Sequence, residues 1–258
     1  MAKLDRDGVG IHYDIEGEGP VLLLSHGYSA TGDMWRGQVA ALKDRFRVIT
    51  WDMRGHGRSD YPEDPAAYSE QLTVADMAAL LDAAGAERAI LGGLSLGGYM
   101  SLAFHLTHPE RVRALLIIDT GPGFRNDEAR EGWNKNALRT AERYESEGLV
   151  RLQRGTAEMR ASVHRDAAGL VRAARGMLTQ RDARVISSLP TIAVPSLVVV
   201  GADDAPFLAA ADYMAGKIPA AKKVVIEGAG HAANMDQPAA FNTAVRSFLL
   251  DAGLDQQP

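Results

Sequence analysis

The chain has 258 residues, of which 46% are hydrophobic and 24% charged, and its formal net charge is −5. This length and balance are typical of one globular domain with room for an insertion, and the negative charge provides no basic surface for nucleic acid or anionic membranes. The absence of cysteine excludes disulfides, thiolate-bound metals and a cysteine nucleophile. Because no segment resembles a signal peptide or a membrane span, we expect a cytoplasmic protein.

Short apolar runs that are typical of strands recur along the chain. Gly10–Ile15 alternates apolar and polar residues, which suggests an antiparallel edge strand. The later runs are continuous and rich in Val and Ile, as expected for strands covered by helices on both faces. They are Val21–Ser25, Val48–Trp51, Ala89–Gly92, Ala114–Ile118, Leu197–Val200 and Val224–Ile226.

Helical patterns separate these runs. Asp33 is a candidate cap for the first helix, and Pro238 suits the first turn of the last one. The predicted helices are Met34–Leu42, Thr73–Ala84, Gly98–Thr107, Ala205–Lys217 and Pro238–Ala252. This alternation predicts an α/β fold in which a mostly parallel central sheet carries helices on both faces.

The alternation stops between residues 121 and 190, where no convincing strand occurs. Helical patterns at Ala137–Leu152 and Ala157–Gln180 predict instead a helical cap, inserted after the fifth or sixth strand. The core domain would then comprise residues 1–120 and 191–258, and the cap would comprise 121–190. Twelve arginines and one lysine against nine acidic residues give the cap a charge of about +4. We expect a solvated face with salt bridges; the alternative is a cap biased toward anionic substrates.

The segment Gly93–Gly97, with the pattern Gly-x-Ser-x-Gly, follows the run Ala89–Gly92 and precedes a predicted helix. This order predicts a strand, a very tight turn and a helix, with Ser95 at the turn. The glycines leave the bend free of side chains. The Ser95 hydroxyl is then exposed beside the positive end of a helix, where an attacking nucleophile is useful.

A serine nucleophile needs a base, usually a histidine that is oriented by a carboxylate. His231 follows a strand-like run in a loop of small residues, which brings it to the same sheet edge as Ser95. The acid should lie at another strand end, where Asp203 and Asp204 are adjacent. Either of them could reach His231; Asp203 could instead cap the next helix, and Asp119 is a weaker candidate for the acid. The order serine, acid, histidine occurs in one hydrolase architecture.

An oxyanion also needs hydrogen-bond donors. The turn itself presents the backbone N–H of Leu96, the residue after the nucleophile. A second donor should come from a loop after an earlier strand, and the Tyr28 N–H is the candidate because Ser25-His26-Gly27-Tyr28 follows Val21–Leu24.

Five ordered motifs over nearly the full length of the chain resemble those of the α/β-hydrolase superfamily. They are His26-Gly27, the loop Asp52–Ser59, the Gly93–Gly97 turn, the Gly201–Asp204 turn and Gly230-His231. The resemblance implies Ser95 as nucleophile, His231 as base, Asp204 rather than Asp203 as acid, and Tyr28 and Leu96 as backbone donors. It also implies a mostly structural role for the loop Arg54–Ser59 and for His56.

The implied reaction is hydrolysis of a small-molecule carboxylic ester or lactone through an acyl-enzyme, with water as the second substrate and no cofactor or metal. A serine at the turn argues against the aspartate chemistry of relatives that resemble dehalogenases and epoxide hydrolases. The alternatives are a carbon–carbon bond hydrolase, a thioesterase or a cofactor-free perhydrolase on the same triad, and a non-catalytic ligand-binding member. Candidate pocket residues are His26, Trp133 and Tyr144; the other apolar cap residues are expected to pack between helices.

Overall fold

Eight strands form one sheet in the computed structural model, which describes residues 2–256. They are β1 (Ala2–Arg6), β2 (Val9–Glu16), β3 (Val21–Ser25), β4 (Arg47–Trp51), β5 (Ala89–Leu94), β6 (Val112–Ile118), β7 (Ser196–Gly201) and β8 (Ala221–Ile226). Their order across the sheet is β1-β2-β4-β3-β5-β6-β7-β8. Strands β3 to β8 run parallel, whereas β1 and β2 pair antiparallel with their neighbours. The predicted α/β fold with a mostly parallel sheet is confirmed.

The predicted edge strand Gly10–Ile15 lies inside β2, which is antiparallel but is not at the edge. Strand β1 covers it, and the two are joined by Asp7 and Gly8 with φ values of 56° and 83°. An Asp-Gly pair with positive φ at both positions is the preferred two-residue hairpin turn. The prediction that this strand lies at the edge of the sheet was therefore wrong, because the Asp-Gly turn adds β1 outside it.

Ten α-helices connect the strands of residues 2–256. They are α1 (Arg36–Leu42), α2 (Glu70–Ala83), α3 (Leu96–Thr107), α4 (Asp127–Glu147), α5 (Ala157–Arg160), α6 (Ala167–Ala173), α7 (Arg184–Ser188), α8 (Ala205–Lys217), α9 (Ala233–Asp236) and α10 (Pro238–Asp251). Pro238 occupies the first turn of α10, as predicted. Asp33 does not cap α1: it lies within a 3-10 turn (Gly32–Trp35) and pairs with the arginines at positions 36 and 58.

Residues 121–190, here called the insertion, lie between β6 and β7 and contain α4 to α7 with short 3-10 and π turns. The predicted single helix Ala157–Gln180 is wrong, because the chain leaves α5 at residue 161 and starts again at α6. Asp166 accounts for the new start: its carboxylate accepts the backbone N–H of Gly169 at 3.2 Å and caps α6. A π turn at Ala174–Leu178 then ends this helix.

The core lies on both faces of the sheet. Neighbouring residues of one strand, such as Leu22 and Leu23, belong to opposite clusters because successive side chains alternate across a strand. Helices α2, α3 and α8 cover one face, and α1 and α10 cover the other. Since β3 to β8 are parallel, their carboxyl ends meet at one edge, which is where such folds place their ligand sites.

None of the helices formed by residues 2–256 combines the length and the apolarity that a membrane crossing requires.

The loop that follows β4 is anchored by a buried ion pair. Arg54, 5% exposed, donates from Nε and Nη2 to the carboxylate of Asp76 on α2, at 2.6 and 2.8 Å. Arg6 of β1 donates to the same carboxylate at 3.3 Å. One acidic side chain thus joins the sheet edge, α2 and the loop.

We expect Asp76→Ala to lower the free energy of unfolding by about 3–5 kcal/mol, because it leaves the buried Arg54 guanidinium without a counter-charge. The control is Asp82→Ala on the same helix, which removes an exposed partner of Arg111 and should cost less than about 1 kcal/mol. Urea denaturation of both variants measures the difference. Equal losses would show that the buried pair does not anchor the loop.

Candidate active site

Ser95 stands at the tight turn between β5 and α3. Its backbone has φ 53° and ψ −115°, a left-handed conformation that is rare for a residue with a side chain. The turn is held by hydrogen bonds: the Ser95 N–H donates to the oxygen of Ile118 at 2.9 Å, and the Ser95 carbonyl accepts from the Thr120 hydroxyl at 2.7 Å. The end of β6 therefore supports the strained residue from both sides.

Gly93 and Gly97 are required by close backbone approach. A Cβ atom at Gly93 would overlap the backbone of Gly97, and one at Gly97 would overlap the carbonyl oxygen of Ser25 at the end of β3. Helix α3 can begin directly against β3 only because both positions lack a side chain. The Gly-x-Ser-x-Gly pattern thus has a steric cause in this chain.

Asp204 and His231 form a hydrogen-bonded pair at the ends of β7 and β8. The His231 Nδ1 lies 2.8 Å from Asp204 Oδ2, and the Asp204 side chain is 5% exposed. The ring of Phe207 stacks on the imidazole, with 5.1 Å between centroids. With the Nδ1 proton donated to Asp204, the Nε2 lone pair of His231 is left to accept a proton.

Burial opposes a charged imidazolium at His231. The hydrogen bond from His231 to Asp204 and the negative charge of that carboxylate outweigh this penalty, so the pKa of His231 is raised above its ordinary value of 6.5. The pair is therefore arranged to stabilise a proton once His231 has accepted it.

The other two candidate acids are engaged elsewhere. Asp203 has an exposed side chain, and its N–H donates to the oxygen of Ala229 at 2.9 Å; it does not cap α8, whose N-cap position is Asp204. Asp119 is fully buried, and its two oxygens accept the N–H groups of Gly201 at 2.7 Å and of Ala233 at 3.3 Å. Burial raises the pKa of Asp119 to about 7. Its carboxyl group holds β6, β7 and the loop after His231 together.

The backbone N–H groups of Tyr28 and Leu96 donate to no acceptor within residues 2–256. The loop that carries Tyr28 comes close to Ser95 at Gly27, where an added Cβ would lie 3.5 Å from the Cβ of Ser95. Leu96 is the first residue of α3, a position whose N–H has no partner within its own helix. One uncommitted donor therefore lies next to Ser95 in the turn, and another lies in the loop whose Gly27 comes close to Ser95.

A cavity of about 320 Å³ opens beside Ser95 and Leu96. Its wall is mainly apolar and combines residues of the core with residues of the insertion; its large side chains are Tyr99, Phe124, Trp133, Met177, Leu178 and Phe207. Within the described part of the chain, no charged side chain lines it. Phe207 lines this cavity and also stacks on the imidazole of His231, which is itself not part of the cavity wall.

The hydroxyl of Ser95 makes no hydrogen bond to His231 in the region spanned by residues 2–256. Hydrogen bonds of this kind are often long in ligand-free enzymes and tighten when substrate is bound. Ser95 thus lies on the cavity wall, and the imidazole of His231 is linked to that wall through Phe207.

Of the three predicted pocket residues, only Trp133 lies on the cavity wall, and its Nε1 donates to the oxygen of Leu178 at 2.8 Å. Placing His26 and Tyr144 in the pocket was wrong. His26 is fully buried, where Nδ1 donates to the oxygen of Gly27 and Nε2 accepts the N–H of Met53. Tyr144 is fully buried too, and its hydroxyl donates to the hydroxyl of Ser29 at 2.9 Å. The polar atoms of both side chains form hydrogen bonds with loop residues.

The arginines of the insertion do not reach the cavity. Several form ion pairs with acidic residues of the insertion itself: Arg130 with Asp127, Arg151 with Glu147, Arg165 with Asp166, Arg175 with Glu145 and Arg184 with Asp182. This pattern matches the expected solvated face with salt bridges. The alternative, a cap that attracts anionic substrates through its arginines, finds no support in the cavity wall.

Three buried histidines cluster beneath the loops that follow β3 and β4. The ring centroids of His26 and His56 are 4.9 Å apart, and those of His56 and His164 are 5.7 Å apart. Burial lowers the pKa of His26 to about 4 and the pKa of His56 well below its ordinary value. His164 accepts the N–H of Gly57 at 3.1 Å and lies 3.0 Å from the oxygen of Ser29. These neutral rings link the insertion to the core, and no sequence motif marked His164 for this role.

Residues 2–256 contain no group of three or more His, Asp and Glu side chains arranged to hold a metal ion.

The known proteins to which this chain is similar include hydrolases with the α/β-hydrolase fold. Residues 20–167 match a family model described as α/β hydrolase fold. The chain is 28% identical to 3-oxoadipate enol-lactonase 1 of Acinetobacter baylyi over 266 residues, with 95% of both chains covered. It is similar to the solved structure of a thermophilic esterase from Thermogutta terrifontis, with 29% identity, a TM-score of 0.83, and 98% and 99% of the two chains covered. The enol-lactonase from Burkholderia xenovorans LB400 has 28% identity, a TM-score of 0.79, and coverage of 96% and 100%.

We expect Gly97→Ala to lower the free energy of unfolding by roughly 1–3 kcal/mol, because its methyl group would overlap the oxygen of Ser25. The control is Gly132→Ala on α4, where an added Cβ meets no atom within 4 Å. That change should stabilise the protein by about 0.5–1 kcal/mol, as alanine does in an open helix position. Thermal unfolding of both variants tests the steric origin of the turn, and a stabilised Gly97→Ala variant would contradict it.

Proposed function

Since this chain belongs to the α/β-hydrolase fold family, we propose that it is a serine hydrolase that cleaves small-molecule carboxylic esters or lactones through an acyl-enzyme. Ser95 is the nucleophile, His231 the base and Asp204 the acid. The observation that carries this proposal is the 2.8 Å pair of Asp204 and His231, whose imidazole stacks on Phe207, a residue of the same cavity wall as the strained Ser95. The relatives named as enol-lactonases and an esterase support an ester or lactone as the bond that is cleaved.

In the first half of the reaction, Ser95 Oγ attacks the carbonyl carbon of the substrate while His231 Nε2 accepts its proton. Rotation of the Ser95 side chain brings its oxygen to the imidazole as the substrate enters. Asp204 accepts the Nδ1–H of His231 and stabilises the imidazolium, as the raised pKa of His231 supports. His231 then gives the proton to the leaving alcohol or enol.

The negative charge that develops on the carbonyl oxygen is held by the N–H groups of Tyr28 and Leu96. Both are uncommitted among the described residues, and the N-terminal end of α3 adds its dipole. Such donors are effective because they are in place before the reaction begins. The strained turn at Ser95 supports this role, since it presents the Leu96 N–H beside the nucleophile.

In the second half, His231 removes a proton from water, and the resulting hydroxide attacks the acyl carbon. The bond to Ser95 Oγ breaks, and His231 returns the proton to that oxygen. Ester or lactone plus water therefore yields a carboxylic acid and an alcohol, or one hydroxy acid from a lactone. The chain needs only its own side chains for these steps.

We also propose that the insertion acts as a cap over the site. Trp133 and Met177 come from the insertion, whereas Ser95 and Phe207 come from the core, and all four lie on one cavity wall. A volume of about 320 Å³ is near the lower end for ligand pockets, which favours a small substrate over bulk lipid.

We expect Ser95→Ala and His231→Ala to abolish hydrolysis of short p-nitrophenyl esters without unfolding the protein, and Asp204→Asn to lower kcat by several orders of magnitude. The matched control is Asp203→Asn, an exposed neighbour, which should stay near the wild-type rate. A fluorophosphonate probe should label the wild type and not Ser95→Ala. Absence of labelling in the wild type would favour a non-catalytic binding protein. A large loss of kcat in Asp203→Asn would show that Asp204 is not the acid of the triad.

We expect kcat/KM to rise with pH through a single ionisation whose midpoint lies above 6.5. The base must be neutral to accept a proton, and the pKa of His231 is raised. Asp204→Asn removes the charge that raises this pKa, so the remaining activity should have its rising limb at lower pH. Rate profiles for both proteins measure the midpoints; an unchanged limb in Asp204→Asn would contradict the pairing.

A further inference from the structure

Most polar side chains on the wall of the cavity are committed to partners within the protein. The Thr120 hydroxyl donates to the carbonyl oxygen of Ser95 at 2.7 Å, and the Tyr99 hydroxyl donates to Glu70 at 2.8 Å. The Trp133 indole donates to the oxygen of Leu178. Apart from the Ser95 hydroxyl, the one polar side chain of this wall without a partner among residues 2–256 is the carboxamide of Gln180.

Gln180 lies at the end of the insertion and is 9% exposed. Its Oε1 is buried and has no hydrogen-bond partner among residues 2–256. A buried amide of this kind costs stability unless something pairs with it, so its presence in an otherwise apolar wall calls for an explanation.

Hydrogen bonds fix the backbone of Gln180, and this fixes where its side chain enters the cavity wall. The Asn134 side chain on α4 accepts the backbone N–H of Gln180 at 2.7 Å and donates to the backbone carbonyl oxygen of Gln180 at 2.8 Å. The neighbouring Trp133 fixes Leu178 in the same way through its indole. On the other side, Gly123 makes room for the amide, because an added Cβ there would lie 3.0 Å from Oε1.

We propose that Gln180 determines substrate specificity: its carboxamide hydrogen-bonds an uncharged oxygen, keto or hydroxyl, on the acyl group of the substrate. This inference rests on the proposed hydrolysis at Ser95. A carboxamide can donate and accept, and its terminal torsion is broad, so either atom can face the ligand. The preferred substrates are thus oxo- or hydroxyacyl esters and lactones whose carbon skeleton fills the apolar wall.

The chemistry of the wall decides against a carboxylate at this position. No arginine, lysine or histidine lines the cavity in the described part of the chain. A carboxylate would lose its hydration there and gain only a neutral amide in return, which does not compensate a buried charge. A keto or hydroxyl oxygen loses less hydration: a keto oxygen can accept the N–H of Nε2, and a hydroxyl can also donate to Oε1.

The test compares p-nitrophenyl hexanoate with its 4-oxo and 5-oxo analogues in the wild type and in Gln180→Leu. We expect the wild type to favour at least one oxo ester by about tenfold in kcat/KM, mainly through KM, since an unpaired polar group costs about this much. In Gln180→Leu, whose side chain is similar in size, the preference should disappear because the oxo ester becomes poorer relative to the plain hexanoate. Asn134→Ala, which keeps the amide but releases its backbone, should weaken the preference without reversing it.

The control is Gln153→Leu, the same change at an exposed position of the insertion, which should keep the wild-type preference. Equal preferences in the wild type and Gln180→Leu, or no preference for either oxo ester in the wild type, would overturn the role of Gln180 while leaving the hydrolase intact. Absence of hydrolysis of all three esters, with no fluorophosphonate labelling of Ser95, would instead overturn the proposed function and this inference with it.

Discussion

The left-handed backbone at Ser95 is the constraint on which the site depends. A residue with a side chain pays roughly 1–2 kcal/mol for this conformation and keeps it only when its surroundings enforce it. Here Gly93 and Gly97 let β5, α3 and β3 meet without side chains between them, and the end of β6 holds the Ser95 peptide groups through Ile118 and Thr120. The strain places one hydroxyl and one N–H at the rim of an apolar cavity.

The aspartate and histidine side chains around this turn differ in their hydrogen-bond partners and burial, and therefore in their roles. Asp204 pairs with His231 and raises its pKa, whereas Asp119 accepts two backbone N–H groups and has its own pKa raised to about 7 by burial. The buried rings of His26 and His56 are kept neutral and pair with loop backbone on both nitrogens. Titratable groups thus divide into the Asp204–His231 pair, proposed to move a proton, and those that hold loops in place.

The insertion is tied to the core by polar contacts near the site. His164 meets Gly57 and Ser29, and the Tyr28 hydroxyl donates to the oxygen of Leu170 at 2.8 Å. Its charged residues pair with one another on the outer surface, while its apolar residues and Gln180 face the cavity. This division leaves an uncharged pocket under a positively charged segment, so the net charge of the insertion is a poor guide to the substrate.

The sequence by itself determined the α/β fold, most strands and the sheet edge that carries Ser95, Asp204 and His231, because apolar runs, glycine turns and strand order are local signals. Two local signals were not used, the Asp7-Gly8 turn that adds β1 and the Asp166 cap that starts α6 after the break. The burial of His26 and Tyr144 carries no local signal, since it depends on the packing of distant loops. The family resemblance implied Asp204 rather than Asp203, and the tertiary structure shows the contact of Asp204 with His231. Only the tertiary structure shows that the Gln180 side-chain oxygen has no hydrogen-bond partner among residues 2–256. Contacts between residues far apart in the chain leave no periodic or spacing signal in one sequence.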